Sequence, residues 1–224
     1  MLTISITTLP IDGDVMPLTW FERRLLALAA ILLPAALGHA ALQDPAGTPS
    51  QASLAGQILI ASPALRDPRF EHTVVLMVRH SAGGALGIVL NRPLGERPLA
   101  SLLEALGERN SAATGSLRIY YGGPVQPQIG FVIHSTDYHG PETIEIDGRV
   151  AMTSSREVLR DIAGGHGPEK QLVAFGYAGW AAGQLESELA QRAWFTAPED
   201  PKLVFDQDRD KLWDDAMTHR TQDL

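Results

Sequence analysis

The sequence predicts an α+β fold: a mixed, largely antiparallel sheet curled into a partial barrel with helices on its outside. Three observations carry that expectation. Short apolar runs recur along the chain and follow one another in adjacent pairs. Tight glycine-bearing turns join some of these pairs, which marks antiparallel hairpins. Helical spacing occurs only in isolated stretches, so a doubly wound sheet built on regular βαβ alternation is disfavoured.

The elements follow in order. Gln57–Ala61 (QILIA) and Thr73–Val78 (TVVLMV) read as strands, the second without a polar face and so covered on both sides. Pro63, Asp67 and Pro68 mark the loop between them. Ala85–Leu90 is a third strand, joined to the second by the Ser81–Gly84 turn. After Pro98, the residues Leu99, Leu102, Leu103 and Leu106 give one helical face, with Gly107 as its stop. Leu117–Tyr121 and Ile129–His134 read as strands around a Gly-Gly-Pro loop. Asp147-Gly148 predicts a two-residue hairpin between Ile144/Ile146 and Val150/Met152, with positive φ at both turn residues. Ser154 and Glu157 have capping-box spacing for a helix carrying Val158, Leu159 and Ile162 and ended by Gly164-Gly165. Leu172–Tyr177 is a strand, followed by a helix with Ala181, Leu185 and Leu189 on one line and Glu188–Arg192 as an i,i+4 pair. Lys202–Phe205 reads as a short last strand, and Leu212, Trp213 and Ala216 mark a terminal helix.

The 224 residues carry 18 Lys and Arg against 26 Asp and Glu, a formal charge of −8. So acidic a chain lacks the electrostatic footprint for phosphate backbones, and direct nucleic-acid binding is not expected. With no cysteine, disulfides, thiolate metal sites and a Cys nucleophile are excluded.

Residues 1–40 read as an N-terminal extension. Within it, 16–40 is signal-peptide-like: Arg23 and Arg24 precede the apolar run Leu25–Leu37, and Gly38-His39-Ala40 offers small residues for cleavage. The run is short of the roughly 20 apolar residues of a membrane span, so no stable transmembrane anchor is expected. Export to the periplasm is the expectation if this segment is a signal. Residues 41–53 read as a flexible linker and 54–220 as a single domain.

The chemistry-bearing motifs are sparse. No Gly-x-Ser-x-Gly, P-loop or dinucleotide fingerprint is present. Seven histidines occur without helical metal spacing. His134, Asp137 and His139 share one strand end, but two unanchored imidazoles do not make a metal site, so no metal and no cofactor are expected. Three clusters look more deliberate. Asn91-Arg92-Pro93 could bind an anion or a carbonyl, or simply end a strand. In Tyr121-Gly122-Gly123-Pro124, consecutive glycines could turn N–H groups toward a ligand or make an ordinary turn. Gly176-Tyr177-Ala178-Gly179-Trp180, leading to Gln184, Glu186 and Glu188, reads as a strand-to-helix entry, with Trp180 either at a site or plugging the core.

These motifs, taken in order, resemble those of the YqgE/AlgH family. The string runs from Gly56–Pro63 (GQILIASP) through Asp67-x-x-Phe70 and Gly84-Ala85-Leu86-Gly87 to Asn91-Arg92-Pro93. It continues with Gly122-Gly123-Pro124-Val125, Gly176–Trp180 and Gly183-Gln184-Leu185-Glu186-x-Glu188-Leu189, then Trp194, Phe205 and Trp213. The resemblance implies a bifurcated sheet folded into a pseudo-barrel and no agreed catalytic activity. One branch of that family is described as a regulator of polysaccharide synthesis. It also implies a short N-terminus and a cytoplasmic location, from which the extension here departs.

The functional expectation is a non-enzymatic binding or interaction module with a protein or small-molecule partner, a second copy of the chain included. Asn91, Arg92, Pro93, Gly122, Gly123, Pro124, Gly179, Trp180 and Gln184 are its candidate contacts, expected near one another if they build one site. The alternative is a hydrolase or transferase acting on a small anion. It would use Arg92 as clamp and His134 or Glu186 as base, and would require such a base close to Arg92 or a deep pocket.

Overall fold

The computed structural model describes residues 53–108, 113–206 and 208–221, within the unit Ser50–Leu224. The signal-like segment 16–40 and the linker as far as residue 52 lie outside the described residues.

Strand β1 (Gln57–Ala61) shows why the sheet is apolar on two faces. Ile58 and Ile60 enter the main core, while Leu59 and Ala61 join a second cluster behind the sheet. Side chains alternate across a strand, so a strand with no polar parity must be covered on both sides. β2 (Val74–Ser81) repeats this with Val74, Leu76 and Val78 on one face and Val75 and Met77 on the other. It turns into β3 (Gly84–Val89) through the expected hairpin.

The remaining strands are β4 (Pro93–Pro98), β5 (Ser116–Tyr121), β6 (Val125–Ser135), β7 (Thr143–Glu145), β8 (Val150–Thr153), β9 (Gln171–Ala181) and β10 (Trp194–Pro198). The helices are α1 (Leu99–Ala105), α2 (Glu157–Ala163), α3 (Gln184–Ala190) and α4 (Leu212–Thr218), with a π-helical turn at Lys202–Asp206. Among the described residues the strand path runs β10-β1-β2-β3-β9-β6-β8-β7, with β4 and β5 as a branch. Among the described residues only β5 and β9 pair in parallel. The sheet is a mixed, largely antiparallel one, curled into an open pseudo-barrel with helices flanking it.

The branch arises on β9. Its first part pairs with β5 at Val173–Phe175, and its last part pairs with β3 at Ala178–Ala181. Between them sits Gly176, with φ +74°. Val173 and Phe175 face the cluster under α1 and α2, whereas Ala178 and Trp180 face the cluster under α3. Outward parity therefore changes from odd to even across Gly176, as one inserted residue in a bulged strand requires.

Several expectations need correction. The strand expected at Leu172–Tyr177 continues to Ala181, so Trp180 lies in β9 and not at a helix start. Pairing with β3 outweighs the turn tendency of Gly176 and Gly179. The segment after Asn91-Arg92 is β4, and Lys202–Phe205 is helical; the last strand is β10. Asp147-Gly148 belongs to a three-residue turn closed by the Ile146 N–H on the Val150 carbonyl (2.9 Å), and only Gly148 has positive φ. The Ser154–Glu157 capping box does not form: Ser154 donates to Glu142 Oε2 at 2.7 Å, and Ser155 Oγ accepts from the Glu157 N–H. Glu188 accepts from two indoles and from Gln184.

Candidate functional site

The fork of the sheet leaves a depression between its two branches. An open cavity of about 520 Å³ is lined by Arg69, Asn91, Arg92, Pro93, Leu94, Tyr121 and Asp210. The backbone builds its floor. Leu90 N–H donates to Val74 O (2.9 Å), Val89 N–H to Gly122 O (2.9 Å), and Tyr121 N–H to Arg92 O (2.8 Å). The end of β3 is thereby tied to β2 on one side and to the end of β5 on the other. Asn91 is spent in this framework: Oδ1 accepts from the Val74 N–H at 3.0 Å and Nδ2 donates to His72 O at 2.8 Å.

Arg92 is used only in part. One Nη2 donor reaches the Glu71 carbonyl, and a guanidinium carries five donors. Exposed Arg69 is paired with half-buried Asp67, whose carboxyl lies below its ordinary range through that hydrogen bond. Leu94 is the bulged residue of β4, 56% exposed, on a strand exposed along its whole length. Two guanidinium groups, a phenol, an aliphatic side chain and the Asp210 carboxylate therefore share one concave surface.

Gly122 and Gly123 sit beside this depression but serve a crossing. Gly122 N–H donates to Phe175 O at 2.7 Å. A Cβ on Gly122 would fall on the Gly176 carbonyl, one on Gly123 on the Tyr177 backbone, and one on Gly176 on the Gly123 carbonyl. Here two chains pass at backbone contact, which only glycine permits. Pro124 follows directly and leads into β6.

Gly179, Trp180 and Gln184 lie elsewhere. Gly179 pairs with Leu86 and Trp180 with Ala85, at the opposite end of β3 from Asn91. Asn91 lies six positions beyond Ala85, about 20 Å in extended backbone. Asn91 and Arg92 are thus apart from Trp180 and Gln184, with Gly123 packed on the Tyr177–Ala178 backbone beside Gly179 between them. Trp180 Nε1 donates to Glu188 Oε2 at 2.9 Å, and Trp194 Nε1 donates to the same oxygen at 2.7 Å. Gln184 Nε2 donates to Glu188 Oε1 (2.9 Å) while its Oε1 accepts the Ala181 N–H (3.1 Å). Glu186 accepts from His80 Nε2 at 2.8 Å. Its own backbone N–H and His80 hold that carboxyl below the usual range.

His134 is fully buried in β6 and bonded to Ser135 O and Thr153 Oγ1. Neither His134 nor Glu186 lines the depression that holds Arg92. Asp137 accepts from the Glu169 N–H, and His139 lies 3.8 Å from Glu145, so the three polar residues of that strand end face separate partners. Among the described residues no group of three or more His, Asp or Glu could hold a metal ion. None of the described helices is long and apolar enough to cross a membrane.

With the fork and its depression defined, comparison with known proteins decides the family. The family model described as AlgH-like (DUF179) matches residues 58–224. The chain belongs to the AlgH-like family. Within it, a UPF0301 protein of Jannaschia sp. (strain CCS1) is 44% identical over 166 residues, 73% of this chain and 86% of that protein. A UPF0301 protein of Methylococcus capsulatus is 40% identical over 178 residues, 80% of this chain and 97% of that protein. The solution structure of the AlgH protein from Pseudomonas aeruginosa has TM-score 0.66 at 44% identity, covering 76% of this chain and 90% of that one. A crystal structure from Corynebacterium diphtheriae has TM-score 0.57 at 23% identity, covering 75% and 87%, a likeness of fold alone.

In this AlgH-like fold the sequence motifs mark the fork well and its lining poorly. Arg69, Leu94, Tyr121 and Asp210 join Asn91, Arg92 and Pro93 only through tertiary structure. Leu94 carried one faint signal: a leucine directly after Asn-Arg-Pro, outside any apolar period.

Proposed function

We propose that this chain is a non-covalent recognition module whose ligand presents an anionic group to the fork. The observation that carries the reading is the lining of the depression: Arg69 and Arg92 beside Tyr121 and exposed Leu94. Guanidinium groups suit carboxylate or phosphate oxygens, and an adjoining aliphatic surface suits a ligand with an apolar part. The polar groups a hydrolase or transferase would need support this reading by their positions. His134 is enclosed by its own hydrogen bonds, and Glu186 is engaged by His80. Segment 16–40 is read as an export signal, which would place the module in the periplasm; fusing residues 16–50 to a reporter active only outside the cytoplasm tests this, and a silent reporter removes it.

Thermal shift against phosphate, acetate, citrate and short acidic peptides tests the binding reading. At about 100 times Kd a ligand adds about 2.7 kcal/mol of apparent stability. The native protein is expected to gain Tm with at least one of these, and Arg69→Ala/Arg92→Ala to gain none. Equal shifts in both proteins, or no shift in either, would overturn the assignment. Turnover of any substrate that is lost in Arg92→Ala would replace recognition by catalysis.

A further inference from the structure

The charges that line the fork are of both signs. Asp210 shares the depression with Arg69 and Arg92. Among the described residues its carboxylate accepts no hydrogen bond and joins no ion pair. Arg92 likewise joins no ion pair there, its one hydrogen bond going to the Glu71 carbonyl. Arg69 is committed to Asp67. An unpaired cation and an unpaired anion thus line one concave surface without meeting each other.

Both charges are carried by one fixed framework. Asp210 is exposed, but Arg209 before it and Leu212 two residues on are buried. Arg209 donates to the carbonyls of Leu203 (3.1 Å) and Val204 (2.7 Å) and lies over the Tyr120 ring, 5.8 Å from its centroid. The Asp210 N–H donates to Asp208 Oδ1 at 3.2 Å, and the Lys211 N–H to the Asp208 carbonyl at 3.1 Å. Tyr120 is buried while its neighbour Tyr121 lines the depression, so the end of β5 both anchors the loop of the acid and shapes the site. Arg92 is tied to the same strand end, since its carbonyl accepts the Tyr121 N–H at 2.8 Å. Holding the groups in place before a ligand arrives lowers the entropic cost of binding.

What such a pair selects follows from the sign of its charges. A simple anion on Arg92 gains a guanidinium but meets the field of Asp210, and a simple cation on Asp210 meets that of Arg92. A ligand carrying both signs satisfies both groups and is favoured over either. Pro93, Leu94 and the Tyr121 ring offer apolar surface for a carbon chain between the two ends. We infer that the fork takes a small zwitterion, a carboxylate and an ammonium joined by a short carbon chain, with the carboxylate on Arg92 and the ammonium on Asp210. The assignment rests on reading the fork as an anion-recognition site, and it makes Asp210 the residue that sets specificity there.

Amide-shift titrations of the full chain test this with matched probes. Each amino acid is compared with the alkanoate in which a methyl group replaces the ammonium: glycine with propionate, β-alanine with butyrate, γ-aminobutyrate with valerate, δ-aminovalerate with caproate. The native chain is expected to bind at least one zwitterion about 3- to 5-fold more tightly than its isostere, the scale of an exposed ion pair. In Asp210→Asn the zwitterion should weaken and the alkanoate strengthen, changes of opposite sign that a merely structural residue would not give. Equal affinities within every pair, no binding by any zwitterion, or a preference that survives Asp210→Asn would overturn the inference. The anion reading outlives each of these results if a simple anion, phosphate included, binds the native chain and is lost in Arg92→Ala. It falls together with the inference if none does.

Discussion

Trp180 and Trp194 donate their indole N–H groups to one and the same carboxylate oxygen, Glu188 Oε2, at 2.9 and 2.7 Å. The rings meet edge to face, 5.8 Å apart, and both are buried. One tryptophan comes from β9 and the other from β10, so α3 joins two distant strands through a single acid. Replacing Glu188 by Ala leaves two buried donors without an acceptor. Each such group costs about 1–3 kcal/mol, so a total loss of about 2–6 kcal/mol is expected in urea unfolding. Glu188→Gln keeps one acceptor oxygen and should lose about half as much, with a shift in tryptophan emission in both variants.

The glycine crossing at the base of the fork makes a sharper demand. Gly123→Ala and Gly176→Ala each drive a methyl group into backbone, which no rotamer change can relieve. Each is expected to cost at least about 3 kcal/mol. Gly148 provides the contrast. Its φ is +82°, yet nothing lies within 4 Å of the position a Cβ would take. Gly148→Ala should therefore cost only about 1 kcal/mol, the ordinary expense of left-handed backbone. Denaturant midpoints of the three variants, at equal m-values, check the order.

Particular residues show what the sequence discloses and what it withholds. QILIA and TVVLMV announce strands because every residue after Gln57 and Thr73 is apolar, and both faces are indeed covered. β4 was hidden because Pro93-Leu94-Gly95-Glu96-Arg97-Pro98 buries nothing: all six residues are exposed, so no apolar period could reveal it. Trp180 misled because glycines signal turns locally, whereas pairing with a strand some ninety residues earlier fixed it in β9. The fork's Asn-Arg-Pro and Gly-Gly-Pro motifs were visible. Their union with Arg69 and Asp210 was not, since no local pattern records which loops meet.

Asn91 and Arg92 are neighbours with different duties, and substitution separates them. Asn91→Ala strips an acceptor from the Val74 N–H and a donor from His72 O, and Val74 is fully buried. A loss of about 1–3 kcal/mol is expected. Arg92→Ala removes one exposed contact with the Glu71 carbonyl and should cost less than about 1 kcal/mol. If the fork is the recognition site, Arg92→Ala should lose anion-induced stabilisation while keeping nearly native Tm. Thermal unfolding with and without ligand distinguishes the two outcomes.

His134 sets an acid limit to stability, and its hydrogen bonds explain the sign. Nδ1–H must donate to Ser135 O at 2.9 Å, because a carbonyl only accepts. Nε2 is then the acceptor of the Thr153 hydroxyl at 2.8 Å, Thr153 Oγ1 accepts from Thr143 at 2.7 Å, and Thr143 accepts the Gly140 N–H at 3.1 Å. Protonating Nε2 would set two donors against each other and place a charge in the core. Burial accordingly lowers His134 below its ordinary 6.5. The unfolded chain then binds the proton more readily than the folded one, so stability is full above about pH 6.5 and falls as the pH drops toward the folded value. Urea unfolding between pH 7.5 and 5 should show this decline, and ring ¹⁵N shifts should keep His134 in the Nδ1–H neutral form where a free imidazole is already charged. A His134 that titrates like a free imidazole, with no loss of stability below pH 6.5, would contradict the buried relay.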